Sequence, residues 1–432
     1  MKIKTIGKAV CSIALVIALF FGLQRLVEPK YAEDILEGNF TAEYYEETTE
    51  HDVLFVGDCE VYENFDPMYL WKNYGITSYI RGNAQQLAWQ SYYMLEDTLK
   101  YETPKVVIYN VQALGYATPQ KEEYNRMTLD GMKWSKTKYD AIKASMCKDE
   151  NMLDYVFPLL RYHQRCLELS KSDFTYFWNN RKVAHNGYYM RVDVLPASES
   201  DVADPTWLLG DTAKDKDAEE EIEDPWDDIE ESEEAIEDPW DDIEESEEAI
   251  EDPWSDIDES GEEIEDPWGN IEGSEADTED ACESNSDDSE EFGSYPMEYL
   301  DKMRALCEEN GIQFILIKAP SLAPEWYDWQ DTQVVEYAQK HNLPYINFYE
   351  LLDETGIDYE TDTYDGGLHM NLAGAGKLSK YLGNVLVNEY GIEDHRNDTA
   401  ISEVYKEKYQ FYEDMIQAQK QELKEYGEIR SY

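Results

Sequence analysis

Apolar positions along this chain follow two alternating rhythms. Short, nearly unbroken apolar runs stand at Val53–Gly57, Thr77–Ile80, Lys105–Val111, Gln313–Lys318 and Tyr345–Asn347. They are too short for helices and are bounded by polar or turn residues, the pattern of buried strands. Between them the spacing is helical, over Asp66–Tyr74, Ala84–Leu99, Tyr295–Asn310, Gln333–His341 and Asn371 to about Glu389, with a final amphipathic, charged helix at Ile401–Gly427. Such alternation predicts the α/β class, with one parallel sheet covered by helices on both faces. Ligands in such a sheet bind at the carboxyl ends of the strands.

Two stretches leave this rhythm. From Tyr116 to about Leu195, Lys136–Cys147 and Asp149–Leu169 read as helices, and aromatic residues crowd together (Tyr139, Tyr155, Phe157, Tyr162, Phe174, Tyr176, Phe177, Trp178). This predicts a helical cap inserted after the third strand, whose aromatics serve core packing or a sugar-stacking surface. The second stretch, 199–291, carries 44 Asp or Glu against two lysines, so the rest of the chain holds only −18 of the formal charge of −60. Its centre is a repeat: Ile222–Ala235 and Ile236–Ala249 are the same fourteen residues, I-E-D-P-W-D-D-I-E-E-S-E-E-A, with degenerate copies from Ile250 and Ile264. So little apolar surface against so much like charge predicts a long disordered loop. Asp224-Pro225 is a local helix-start signal, which leaves transient helices or a cation-triggered fold open. Pro once per copy excludes a continuous coiled coil, and the D-x-[DN]-x-[DN]-G calcium loop is absent.

Because the strand–helix rhythm resumes after the acidic stretch, it reads as an insert within one domain. The expected divisions are an N-terminal segment 1–32, the first part of the domain with its cap 33–198, the insert 199–291, the second part 292–395 and a C-terminal helix 396–432. An acidic balance repels phosphate and argues against nucleic-acid binding.

At the N-terminus, Lys2, Lys4 and Lys8 precede the uncharged run Ala9–Leu23, the form of an export signal. An A-x-A cleavage site is missing and Pro29 stands where one would fall. The preferred reading is a signal anchor, a single-pass transmembrane helix at the cell membrane, with the lysines inside and the bulk of the chain extracytoplasmic. A cleaved signal peptide is the alternative. The six cysteines do not form a disulfide framework in a chain this long. A Cys147–Cys166 bridge is conceivable, but the simpler reading of Cys147, Cys166 and Cys307 is as buried thiols packing like small hydrophobes.

The chemistry concentrates at the two ends of the domain. The first strand ends abruptly in Gly57-Asp58-Cys59-Glu60, and the last helix is preceded by D-T-Y-D-G-G-L-H-M-N-L-A-G-A-G-K over Asp362–Lys377. A Cys at a tight turn after a strand is exposed to substrate and close to backbone N–H groups that can hold an oxyanion. Asp365 and His369 add an orienting carboxylate and a base. The plainer readings are an unreactive small residue at Cys59, a hydrogen bonder at the helix start for His369, and a helix cap for Asn83. The other histidines lack the mutual spacing of a metal site, so no metal or cofactor is expected.

G-D-C-E-V-Y at Gly57–Tyr62, R-G-N at Arg81–Asn83 and D-G-G-L-H-M-N-L-A-G-A at Asp365–Ala375 resemble the blocks of the SGNH/GDSL hydrolase superfamily. Within it, the likeness is to the membrane-anchored branch that includes the D-alanyl transfer protein of teichoic-acid operons and alginate O-acetylation proteins. The resemblance covers roughly Asp52–Tyr116 and Tyr295–Tyr390. It implies a flavodoxin-like three-layer fold and acyl-ester chemistry on a cell-envelope polysaccharide or teichoic-acid-like polymer, with a membrane-bound O-acyltransferase as partner. It also implies Cys59 as nucleophile, His369 as base, Asp365 as its orienting partner, and an oxyanion hole from the backbone at Cys59 and Gly82 with the Asn83 side chain. The chain departs from the pattern in three places. Cys59 replaces the usual Ser, and a thiolate beside a His is a competent acyl acceptor. D-x-x-H has become D-x-x-x-H, which brings Asp362 forward as an alternative to Asp365. The G-x-N-D block is missing, and Asn110 at the end of the third strand stands in for its Asn. A non-catalytic surface scaffold that binds envelope polymer or cations is the rival function.

Overall fold

The computed structural model describes residues 2–31, 36–119, 121–148, 150–175, 182–199 and 291–430. The acidic repeat, and with it the expected disordered loop, lies outside these residues.

The described chain opens with helix α1 (Lys2–Val27) and helix α2 (Glu37–Glu43), then enters the sheet at β1 (Val53–Gly57). Helices α3 (Cys59–Tyr62) and α4 (Pro67–Tyr74) lead to β2 (Ser78–Gly82), and α5 (Ala88–Thr98) leads to β3 (Val106–Asn110). The cap follows as α6 (Glu122–Leu129), α7 (Lys136–Ser145), α8 (Met152–Val156), α9 (Pro158–Tyr162) and α10 (Lys171–Thr175). Beyond the insert come α11 (Ser294–Asn310), β4 (Gln313–Lys318), α12 (Asp328–His341), β5 (Tyr345–Asn347), α13 (Leu352–Thr355), α14 (Leu372–Asn388) and α15 (Thr399–Tyr426).

The five strands are parallel and ordered β2-β1-β3-β4-β5, the doubly wound order of flavodoxin-like sheets. Successive side chains of a strand point to opposite faces, and the core divides accordingly. Phe55, Ile108, Ile315 and Ile317 pack under Met68, Trp71, Leu378, Leu382 and Tyr405 of α4, α14 and α15. Leu54, Val56, Tyr109 and Leu316 pack under Trp89, Leu95, Met303, Cys307 and Val334 of α5, α11 and α12. The result is three layers, helices on both faces of one sheet. Strands β3 and β4 pair directly, Val106 opposite Gln313 through Asn110 opposite Ile317, although the insert separates them in sequence.

Local chemistry explains where helices start and stop. Asp66 caps α4 by accepting from the N–H groups of Met68 and Tyr69, with Pro67 in the first turn. The predicted Ala84–Leu99 helix starts only at Ala88, because Gln85 takes a left-handed φ of 49° in the preceding turn. The predicted Asp149–Leu169 helix breaks into α8, α9 and a 3-10 turn around Pro158, which has no N–H to donate. A small core of its own, Met94, Leu129, Met132, Ala141, Ile142 and Tyr155, seats the cap on α5.

Two expectations are corrected here. Among the described residues no helix is long and apolar enough to cross a membrane, which overturns the signal anchor, the transmembrane helix and the single-pass cell-membrane location inferred from it. The uncharged part of α1, Ala9–Leu23, reaches about 22 Å at 1.5 Å per residue, short of the ~30 Å hydrocarbon core of a bilayer. The end of α1 is instead tied to the cap: Val27 is buried, its carbonyl accepts from Arg165 (2.7 Å), and Phe20 meets Phe157 edge to face. Cys147 and Cys166 are free thiols, half-buried and exposed respectively, so neither is bridged nor fully packed away. Cys307 alone of the three is a buried core residue.

Candidate active site

Strand order reverses between β1 and β3, and the carboxyl ends flanking that point carry Cys59 and Asn110. All five residues of β1 are buried. Gly57, at φ 152°, lets the chain leave the sheet at once, a conformation that side chains resist. Asp58 caps the single turn of α3 by accepting from the Glu60 N–H (3.3 Å), and Cys59 is the first helical residue, half-buried.

The opposing loop precedes α14. Asn371 caps that helix by accepting from Ala373 and Gly374 N–H, while its amide donates to the carbonyls of Thr361, Thr363 and Asp193. Gly366 and Gly367 both adopt left-handed φ, 80° and 107°. These two glycines absorb the extra residue of D-x-x-x-H and fold Asp365 back onto His369. Asp365 accepts from the His369 backbone N–H (2.8 Å) and meets its Nδ1 at 2.6 Å. Asp362 is engaged elsewhere, with Lys377 at 2.5 Å and the Asp358 N–H at 2.7 Å, and so is not the orienting carboxylate.

The imidazole also acts on Cys59, whose pKa it lowers against the effect of burial. With Nδ1 held by Asp365, Nε2 is the ring nitrogen without a partner in that contact. A further carboxylate, Glu63, lies 3.4 Å from Nδ1 and accepts from the Tyr364 hydroxyl. Sequence reasoning missed Glu63; its spacing of four from Cys59, one turn along the same helical segment, was the available signal. Asn64, the next residue, was also missed: it accepts from the Met370 N–H (2.8 Å) and donates to Ser321 (3.3 Å), tying the loop of the nucleophile to the loop of the base.

The electrostatics follow from burial among carboxylates. Burial pushes the Cys59 thiol up to about 12, with His369 opposing and Asp58 adding to the rise. For His369 burial alone would favour the neutral ring, but Glu63, Cys59 and Asp365 together hold its pKa well above the ordinary value. Burial raises Glu63 to about 7, against the pull of His369. These influences favour the thiol form of Cys59 and the protonated form of the His369 ring. Donor atoms of Glu63, Asp365 and His369 converge within 4.8 Å, enough for a cation to be considered. A tetrahedral metal with ~2.0 Å bonds spaces its ligands wider than the 2.6 Å contact between Asp365 and Nδ1, so this spacing is that of a hydrogen bond.

The side-chain donors expected for an oxyanion are committed to other work. Asn83 is fully buried; its amide donates to the carbonyls of Glu37 (2.9 Å) and Met127 (3.1 Å), and its oxygen accepts from the Ala84 N–H. Asn110 donates to Asp58 (3.1 Å) and Glu60 (2.8 Å) and accepts from the Ala319 N–H. Gly82 stands opposite Gly57 in the β1–β2 register, and a Cβ there would lie 2.6 Å from Val61 and 3.1 Å from the Gly57 carbonyl. It is a close-packing glycine under the nucleophile turn. Below that turn Lys318, fully buried at the end of β4, clasps both Glu60 oxygens at 2.8 and 2.9 Å.

Fold and site thus define a doubly wound α/β protein with a Cys–His–carboxylate cluster at its switch point. Comparison with protein-family models, curated proteins and solved structures finds no match for this chain.

Proposed function

We propose that the protein is an acyl esterase or O-acyltransferase of the SGNH/GDSL kind, acting on an acylated carbohydrate or teichoic-acid-like polymer. The observation that carries this reading is an imidazole that Asp365 holds at 2.6 Å and that acts electrostatically on the thiol following β1. In the proposed cycle His369 Nε2 accepts the Cys59 proton as sulfur attacks the acyl carbonyl. The proton then passes to the leaving alkoxide, and a thioester to Cys59 remains. Water or a sugar hydroxyl, deprotonated by the same imidazole, attacks the thioester and regenerates the thiol. Asp365 and Glu63 stabilise the imidazolium that forms at each half-reaction. With Asn83 and Asn110 committed, the oxyanion donors in this reading are the backbone N–H groups at Cys59 and Gly82.

A second reading, a non-catalytic polymer-binding scaffold of the same fold, draws on the thiol itself, which burial keeps neutral and therefore weakly nucleophilic. The two are separated by acyl release from short esters with the purified full-length chain, alongside Cys59→Ala, Cys59→Ser and His369→Ala, and by intact mass for an acyl adduct on Cys59. The enzyme reading expects turnover or an adduct in the wild type and neither in Cys59→Ala. Wild type and Cys59→Ala equally inert across several donors, while folded, would sink it.

A further inference from the structure

A cavity of about 370 Å³ lies between the last turns of α1, helix α2, the turn that joins α6 to α7, and the cap helices α8 and α9. Its size is that of a small-molecule site. The wall carries four cations, Arg25, Lys30, Lys133 and Lys138, against two carboxylates, Glu28 and Asp130. In a chain of formal charge −60 this local excess of positive charge runs against the whole.

Both carboxylates are already engaged. Glu28 takes Arg25 at 2.6 Å, while Asp130 accepts from the Tyr162 hydroxyl at 2.9 Å and meets Arg126, outside the wall, at 3.5 Å. Neutral groups hold two of the lysines. Lys138 is only 4% exposed and donates to the carbonyls of Asp130 (2.9 Å) and Met132 (3.0 Å), and Lys133 lies over the Tyr45 ring, 4.6 Å from its centre. Lys30 also donates to carbonyls, those of Arg25 and Glu28. Burial pulls Lys138 below its ordinary pKa and Lys30 down to about 8, so each charge would be steadied by an anion in the cavity.

The wall also holds an unmatched acceptor. Gln24 is 6% exposed, and its Oε1 meets no donor among the described residues. A buried carbonyl oxygen left this way is costly. An ionised phosphate has only acceptor oxygens to offer, whereas a hydroxyl beside the phosphate supplies the missing donor.

We propose that this cavity binds a phosphate ester that carries a free hydroxyl, the chemistry of a glycerophosphate. Lys30, Lys133 and Lys138 take the phosphate oxygens, Gln24 accepts from the hydroxyl, and Phe21 and Trp134 in the same wall cover the carbon chain. A soluble ester and a lipid headgroup present this same group. The site shares no residue with the Cys59 cluster and does not rest on the acyl-transfer reading.

The test is calorimetry on the full chain with sn-glycerol 3-phosphate, inorganic phosphate and glycerol, in wild type, Gln24→Leu, Lys133→Ala and Lys138→Met. Expected is binding of sn-glycerol 3-phosphate, with inorganic phosphate about tenfold weaker and glycerol not bound. Gln24→Leu erases the difference between the two anions, and Lys138→Met weakens both by about tenfold or more. Lys133 is exposed, so Lys133→Ala keeps the fold and decides the matter if Lys138→Met does not fold. Flotation with phosphatidylcholine vesicles, with and without phosphatidylglycerol, separates the sources. Binding that requires phosphatidylglycerol and is competed away by sn-glycerol 3-phosphate assigns a lipid headgroup, and binding of the soluble ester alone assigns a soluble ligand. Absence of binding to both sn-glycerol 3-phosphate and phosphatidylglycerol vesicles, or binding that Gln24→Leu and Lys133→Ala both leave unchanged, overturns the proposal.

Discussion

His369 is the residue on which the chemistry turns, because three groups compete for its charge. Its ring must be neutral to accept the Cys59 proton, yet Glu63, Cys59 and Asp365 favour the imidazolium. The sign follows directly. Below its raised pKa the imidazole is already protonated and cannot serve as base, so acyl transfer should climb as pH rises through that value. Glu63→Gln removes one of the charges that hold the proton, so the acid limb of kcat/KM should move to lower pH, by about one unit for a close partner. The comparison to make is the pH profile of wild type and Glu63→Gln on one short ester; coincident limbs would show that Glu63 does not act on the base. At this scale the sequence was legible by residue type and place for Asp365 and His369, which meet at 2.6 Å, and for Cys59, which stands first in the turn after β1. The roles of Asn83 and Asn110 were not legible, since an Asn at a strand end looks the same whether its amide faces a substrate or two backbone carbonyls.

Among the elements, α3 is the most exacting. A single turn of helix projects Cys59 outward while Glu60 points into the sheet, where Lys318 from β4 and Asn110 from β3 hold it. An ion pair buried this deeply costs more to break than to replace, because the survivor is left as an uncompensated charge. Lys318→Met should therefore destabilise by about 3–5 kcal/mol, and Glu60→Gln combined with Lys318→Met should recover much of the loss. Urea unfolding midpoints of the two single variants and the double one decide it; additive losses would mean the pair carries no coupling. Burial on both sides makes β1 and nearly all of β4 short apolar runs, and this is why they are legible from pattern alone. Helix starts were harder, since the turn before α5 depends on a left-handed Gln85 and the break before α9 on Pro158, each a matter of one residue overriding a periodic stretch.

For the whole molecule, the question is how one domain tolerates a long acidic insert. The sheet answers it: β3 and β4, on either side of the insert, are direct neighbours in register, so their pairing needs nothing from residues 201–290. Replacing 201–290 with a flexible linker should leave the thermal midpoint within a few degrees of wild type and the ester profile unchanged, as read by circular dichroism and initial rates. A collapse of the midpoint would show that the insert is part of the fold. The sequence by itself determined the α/β class, the parallel sheet and the two chain segments that carry the nucleophile and the base, because period and strand ends are local properties of a chain. Only the tertiary structure decided that Asp365 rather than Asp362 meets the imidazole, that Glu63 joins it, and that α1 ends against the cap instead of continuing as an apolar span. Each of those outcomes depends on which distant side chains share a few ångströms of low-dielectric space, and sequence spacing does not encode that.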